Sequence, residues 1–243
     1  RLILTRLVLA WAKAVDRALL RLDDHEPLLV PASPADALGL AGDLARLMDA
    51  LATEGIAWES LHSLVEDRYS RYYGITLDFL KIAAETWPQI LADRGASDPV
   101  SRRNAIILAD AERLARERPE APMIVAGSTG SVPATAHLIA AVSRLPQGAV
   151  VLPGLDRSLD EPSWRAIAEA RHGHPQAALQ RLMTTIGVDR ADVRELADLS
   201  PEATARATFL AEALRPAETT DVWAAYRQGG GSDGAGDFLT GDF

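Results

Sequence analysis

The chain changes its hydrophobic rhythm at Pro119, and that change limits the folds open to it. Downstream, Met123-Ile124-Val125-Ala126 is a continuous apolar run that stops at Gly127. Ala149-Val150-Val151-Leu152 is a second such run, stopping at Pro153-Gly154. Runs this short and this apolar read as strands of a buried parallel sheet. A helical stretch from about Pro133 to Leu145 lies between them. Strand, glycine turn, helix, strand is a βαβ unit, whose crossover is expected to be right-handed. The fold class expected is therefore α/β and helix-rich, with a helical subdomain over 1–119 and part of an α/β core over 120–228.

Upstream of Pro119 the pattern is helical throughout. Leu4, Leu7, Val8, Trp11, Val15, Leu19 and Leu22 recur at steps of three and four, giving one apolar helical face. His25 to Pro34 reads as a loop broken by three prolines, and Ser33-Pro34 opens a second helix that stops at Gly55. Trp58 to Val65 is a shorter amphipathic piece. Leu77 to Trp87 is a helix expected to end near Pro88 or Gly95, and Asp98-Pro99 caps a long helix from about Val100 to Arg118. In the second part, helices are expected to start at Asp160-Glu161-Pro162, at His174-Pro175 and at Ser200-Pro201-Glu202. The last ends at Arg215-Pro216. Residues 229–243 begin Gly229-Gly230-Gly231-Ser232 and read as a flexible Gly-rich tail outside the fold.

Composition narrows the functional classes. Forty-eight per cent of residues are hydrophobic, enough for a core and too many for wholesale disorder. The formal charge is −9, whereas proteins that bind nucleic acid non-specifically are usually basic, so any DNA contact is expected to be local or shared with a partner. No cysteine is present, which excludes an iron–sulfur cluster, a disulfide framework or a cysteine nucleophile within this stretch. No apolar run reaches the roughly 18–20 residues of a membrane span. No signal peptide is visible, and Arg1-Leu2-Ile3-Leu4 already lies inside a helical pattern, as expected of an internal slice of a longer protein.

Gly127-Ser128-Thr129-Gly130-Ser131 is the leading site candidate, because it follows a strand and precedes a helix. Glycines let the backbone turn with positive φ, and a helix N-terminus offers unpaired N–H groups to an anion. The functional reading is contact with a phosphate or a nucleic-acid backbone; the commoner reason for such a pattern is a plain tight turn with good capping residues. It is not a Walker A loop, since GxxxxGK[ST] is absent, and it is not GxGxxG. Asp156, Asp160 and Glu161 follow the second strand, where they could hold Mg²⁺ or cap the next helix. His25, His62, His137, His172 and His174 show no metal-ligand spacing, and Ser128 and Ser131 lack a GxSxG frame. Arg102, Arg103, Arg113, Arg116 and Arg118 read as a solvated helix face with acidic partners, or as phosphate contacts. Tyr69, Tyr72 and Tyr73 read as packing between helices, or as a stacking platform for bases.

Two stretches, Met123 to Thr135 and Leu145 to Asp156, together resemble the AddB family in its alphaproteobacterial type. Thr76 to Ile82, His174-Pro175-Gln176 and Arg215 to Thr220 support the resemblance, which runs from about residue 1 to 226. AddB is a subunit of the AddAB helicase–nuclease that processes double-strand DNA breaks for recombination. The resemblance implies a helical subdomain followed by part of a RecA-like, superfamily 1 helicase-like core, lying within the helicase-like half of that subunit. It also implies an AddA-type partner, double-stranded DNA ends as substrate and a bacterial cytoplasmic, nucleoid-associated setting. ATP would be used by the complex, with Mg²⁺ and an iron–sulfur cluster in a nuclease domain outside this stretch. An active helicase of this kind carries an Asp-Glu pair where its metal-holding strand ends. Here that position is Ala126-Gly127, so this core is expected to lack catalytic residues and to serve as scaffold and DNA contact. A different class of reading is a small α/β enzyme or binding protein for a phosphorylated ligand at Gly127–Ser131.

Overall fold

A computed structural model describes residues 1–15, 33–63, 70–169 and 173–223, with the side chains of residues 62–73 excepted. The fold is helix-rich with one small parallel sheet, so the α/β reading holds at that level. The chain forms two compact units, Arg1–Ile106 and Ile107–Phe243. The change of unit therefore falls inside the long helix, thirteen residues before the change in sequence pattern at Pro119.

In the first unit every element among the described residues is helical. Helix α1 (Leu2–Ala14) packs on α2 (Pro34–Glu54) through Leu4 and Val8 against Ala37, Ala41 and Leu44. The two alanines are fully buried, and their lack of bulk lets the helices approach closely. Helix α2 begins with a capping box, in which Ser33 Oγ accepts from the Asp36 amide and Asp36 accepts from the Ser33 amide. It ends at Gly55 with φ 67, as its glycine predicts. The first helix, expected to run on through Val15 to Leu22, ends at Ala14 with Val15 in extended backbone. Residues 16–22, the loop at His25 and Tyr69 lie outside the described residues, as do the side chains of His62, Tyr72 and Tyr73.

Pro88 does not end its helix. Instead α3 (Ser70–Lys81) runs through a π-helical turn at Ile82–Thr86 into α4 (Trp87–Asp93). Proline has no N–H to give to the carbonyl four residues back, and its ring crowds that carbonyl. The ladder widens one step earlier, where the Trp87 amide donates to the Ile82 carbonyl, five residues away. Gly95 then ends the helix with φ 57. Asp98 caps α5 (Pro99–Glu117) by accepting from the Val100 and Ser101 amides.

The second unit is built on β1 (Met123–Ala126), α6 (Pro133–Ser143) and β2 (Gly148–Val151). The strands are parallel, with Met123 opposite Gly148 and Ala126 opposite Val151. The second strand starts one residue before the apolar run and ends one residue before it. Helix α6 is buried on nearly every side. Ile139 and Ala136 meet Leu182 of α8 (Ala177–Ile186), and Ala141, Val142 and Leu145 meet Ala111 and Leu114 of α5. Met123, Val125 and Val150 lie on this same covered face of the sheet. The opposite face is bare: Ile124 is 68% exposed, and Ala126 and Ala149 are exposed too. Helix α7 (Glu161–Glu169) packs with α8 around Trp164 and Ile167. Helix α9 (Pro201–Ala213), capped by Ser200, buries only Ala211. No helix among the described residues is long and apolar enough to cross a membrane.

Candidate functional site

Parallel strands bring the loops that follow them to one edge, which is where ligands of open α/β sheets bind. Here those loops are Gly127–Ser131 after β1 and Leu152–Asp160 after β2. They touch at their bases, where the Gly127 amide donates to the Val151 carbonyl at 3.1 Å.

The Gly127–Ser131 turn is made by its two glycines. Gly127 has φ 76 and Gly130 has φ 60, both in the left-handed region that side chains avoid. Gly130 is doubly required, since a Cβ there would lie 2.8 Å from the Leu182 Cδ1 atom. Ser128 Oγ accepts from the Gly130 amide at 3.2 Å, so this hydroxyl shapes the turn itself. The good capping residues expected here do not act as caps. Val132 is the N-cap of α6, no side chain caps it, and Pro133 has no N–H to satisfy. Among the described residues the Ala134 and Thr135 amides of the first turn of α6 find no acceptor, and Ala134 itself is buried. Ser131 is exposed and Thr129 half-buried beside them.

The loop after β2 is fixed in place. Asp156 Oδ1 accepts from the Ser158 amide, the Ser158 hydroxyl and the Leu159 amide. The Gln176 side-chain amide spans the loop, donating to the Gly154 carbonyl at 2.9 Å and accepting from the Asp156 amide at 3.1 Å. Arg190 donates to the Leu159 carbonyl at 2.7 Å and to Glu161 at 2.9 Å, with its guanidinium 4.8 Å from the Trp164 ring centre.

Asp160 belongs to a polar cluster around Arg215. The Arg215 side chain is 5% exposed; it donates to Asp160 Oδ2 at 2.5 Å and Ser163 Oγ at 2.6 Å, and grips both oxygens of Glu212. Asp160 also caps α7 by accepting from the Ser163 amide at 2.8 Å. The bond from Arg215, reinforced by that amide, pulls the Asp160 carboxyl down to about 2. Ser163 Oγ in turn donates to Thr219 Oγ1 at 2.8 Å, so Arg215 and Thr219 lock the segment after α9 onto α7.

These contacts give each of the acidic residues a structural role. Asp156 and Asp160 act as loop and helix caps, and Glu161 pairs with Arg190. No group of three or more His, Asp or Glu side chains suited to a metal occurs among the described residues. His174 is a structural staple as well: its Nε2 faces the Leu214 carbonyl at 2.9 Å and its Nδ1 accepts from the Gln176 amide. Arg113 pairs with Asp110 and Glu117 on the surface of α5, as a solvated face would. His172 lies outside the described residues, and His137 is exposed on α6. Arg190 gave no signal in the sequence, because its partners lie some thirty residues away in the chain.

Among the described residues the edge therefore offers the first-turn amides of α6, the exposed Ser131 and the half-buried Thr129. No protein-family model, no curated protein and no solved structure matches this chain.

Proposed function

We propose that this chain is an internal part of the helicase-like half of an AddB-type subunit, a scaffolding and DNA-contacting element without ATPase chemistry of its own. The observation that carries the reading is where the AddB-like stretches lie in the fold. Met123 to Thr135 is β1, the glycine turn and the start of α6. Leu145 to Asp156 is β2 and its loop, His174-Pro175-Gln176 fastens that loop, and Arg215 to Thr220 clamps α7. Four of the five stretches, scattered over a hundred residues of sequence, thus serve one edge of one sheet, while Thr76 to Ile82 lies in the helices of the first unit.

The sheet itself supports a partial RecA-like core. Parallel sheets are ordinarily covered on both faces, and this one leaves Ile124 bare. Further strands and a second helical layer, as in a full core, would cover it. At the strand end where an ATPase carries its paired acids stand Ala126 and Gly127, and the acids after β2 are committed to structure. Without those acids, Mg²⁺ and the attacking water have no holder at this edge. What remains suits a phosphate of the DNA backbone, with the Ala134 and Thr135 amides as donors.

The test is DNA binding by the AddAB-type complex carrying Ser128→Glu and Ser131→Glu, titrated at several salt concentrations. Two carboxylates beside the α6 N-terminus should weaken binding roughly tenfold at low salt and less at high salt, because the repulsion is screened. Unchanged binding at every salt concentration would argue against contact at this turn. In the same complex, Ala126→Asp with Gly127→Glu should leave ATP turnover where it was, and new turnover assigned to this subunit would overturn the reading.

A further inference from the structure

A cavity of about 350 Å³ lies between the C-terminal half of α5 and α6, away from the sheet edge. That is the lower end of the range for pockets that take small ligands. Its floor is apolar, with Ala111, Ala141 and Leu145, and Leu108 at its side is 39% exposed. Its rim carries Arg118, His137 and Arg144, against the single carboxylate of Glu112. Arg144 donates only to the Thr185 and Ile186 carbonyls, at 3.3 and 3.4 Å. Among the described residues no carboxylate pairs with Arg118 or Arg144. Arg118 also holds φ 45, a left-handed position at a helix end that normally falls to glycine. A strained residue that places a cation on a cavity rim fits a ligand-holding role.

An apolar floor under a cationic rim selects an occupant with one apolar group and adjacent negative charge. The chain contains such a segment. Gly236-Asp237-Phe238 and Gly241-Asp242-Phe243 repeat one tripeptide within eight residues, each setting a carboxylate beside an aromatic ring. Five of the eight residues 229–236 are glycine. Trp223, the last described residue, lies in the unit that contains the cavity, and from there to Phe238 the chain reaches at most about 50 Å. We propose that this cavity is a docking site for the chain's own Gly-Asp-Phe repeat, with the phenylalanine on the apolar floor and the aspartate between Arg118 and Arg144. The proposal rests on the cavity and the repeat, and it holds or fails separately from the helicase-like reading.

The experiment is photo-crosslinking in the full 243-residue chain with Phe243→benzoylphenylalanine, and separately with Phe238→benzoylphenylalanine. Crosslinked peptides are mapped by mass spectrometry. Mixing isotope-labelled with unlabelled chains separates links within one chain from links between two. The expected result is intrachain links to residues 108–118 and 137–145. Arg118→Glu with Arg144→Glu should lower the yield at least fivefold. Since Arg144 also holds two carbonyls of α8, a second variant guards against simple misfolding: Asp237→Asn with Asp242→Asn alters no described residue and should lower the yield to a similar extent. Raising the salt from 0.1 M to 1 M, which shortens the screening length from about 10 Å to about 3 Å, should act in the same direction. Links that map elsewhere, or a yield indifferent to the aspartate variant, would overturn the proposal. Links to the same residues in a second copy would overturn the assignment of the occupant to the same chain.

Discussion

After β2 the chain is fastened from three directions, and after β1 it is fastened from one. Gln176, the N-cap of α8, Arg190 beyond α8 and Arg215 beyond α9 all reach back to the residues between Gly154 and Ser163. The turn after β1 has only the amide of Gly127 on Val151, its own Ser128 hydrogen bond and the packing of Gly130 on Leu182. The contrast separates two jobs at one edge. Polar side chains after β2 are consumed in making a fixed wall, which explains why three acidic residues there leave no ligand set. The turn after β1 spends little on itself and leaves the amides of α6 unpaired. A site that binds an anion needs both, a wall that does not move and donors that are not already used.

The comparison breaks first if α6 loses its seat on the sheet that carries both loops, and Gly148, at the start of β2, is where helix and strand approach most closely. A Cβ at Gly148 would lie 1.8 Å from the Val142 carbonyl oxygen and 3.0 Å from its carbon. These are backbone atoms at the end of α6, so no rotamer change can relieve the clash. Gly148→Ala should force α6 away from β2 and destabilise the second unit by on the order of 4 kcal/mol. Denaturant unfolding of this chain measures it directly. A loss below about 1 kcal/mol would mean that α6 and β2 do not approach as described.

Loosening the wall alone is the next largest effect. Arg215→Ala removes charge-assisted bonds to Asp160, Ser163 and Glu212, and leaves the fully buried Ser163 hydroxyl without its Arg215 donor. Its carboxylate partners can turn to water, which limits the loss to about 3 kcal/mol. Asp160→Asn should cost less, about 1 kcal/mol, since Arg215 keeps Glu212 and the Asp160 side chain is 43% exposed and so screened. The pH dependence has a definite sign. In the folded chain Asp160 is held down to about 2, against 3.8 ordinarily, so the native state binds this proton more weakly than the unfolded chain does. Its contribution is full above about pH 4 and disappears as pH falls through about 2. The stability gap between parent and Asp160→Asn should therefore be present at pH 5 and close towards pH 2. A gap of constant size would place the origin of the effect elsewhere than in this ion pair.

How far these two loops could be read from sequence differs for a physical reason. The Gly127–Ser131 turn was legible because its determinants are local: two glycines, a strand before and a helix after. The parallel pairing of Met123–Ala126 with residues 148–151 was legible for the same reason, as were the caps at Ser33, Asp98 and Ser200. The fastening of the β2 loop was not, because its bonds join residues 20 to 55 positions apart, and no periodicity marks Gln176, Arg190 or Arg215. Local rules also failed at Pro88, where a π-helical turn absorbs a residue that ought to stop a helix. They failed again at Val132, where hydroxyls close by leave the α6 N-terminus uncapped because Ser128 is engaged inside its own turn.

The effect that bears most directly on the open turn falls between those of Arg215→Ala and Asp160→Asn. Gly130→Ala places a Cβ 2.8 Å from Leu182 Cδ1 in a backbone with φ 60. Both penalties are moderate. The contact is with the far end of a side chain that can rotate, and one alanine in the left-handed region costs about 1–2 kcal/mol. The expected loss of stability is about 2 kcal/mol, half that of Gly148→Ala, where the obstacle is backbone. The two substitutions should also differ in reach. Gly148→Ala disturbs both loops by displacing α6 from the sheet that carries them, whereas Gly130→Ala should leave amide exchange around Gly154–Ser163 unchanged and raise it only at Ser128–Thr135. Hydrogen exchange resolved by residue tests this. If protection fell equally in both loops, the wall would depend on the turn, and the division of labour at this edge would have to be abandoned.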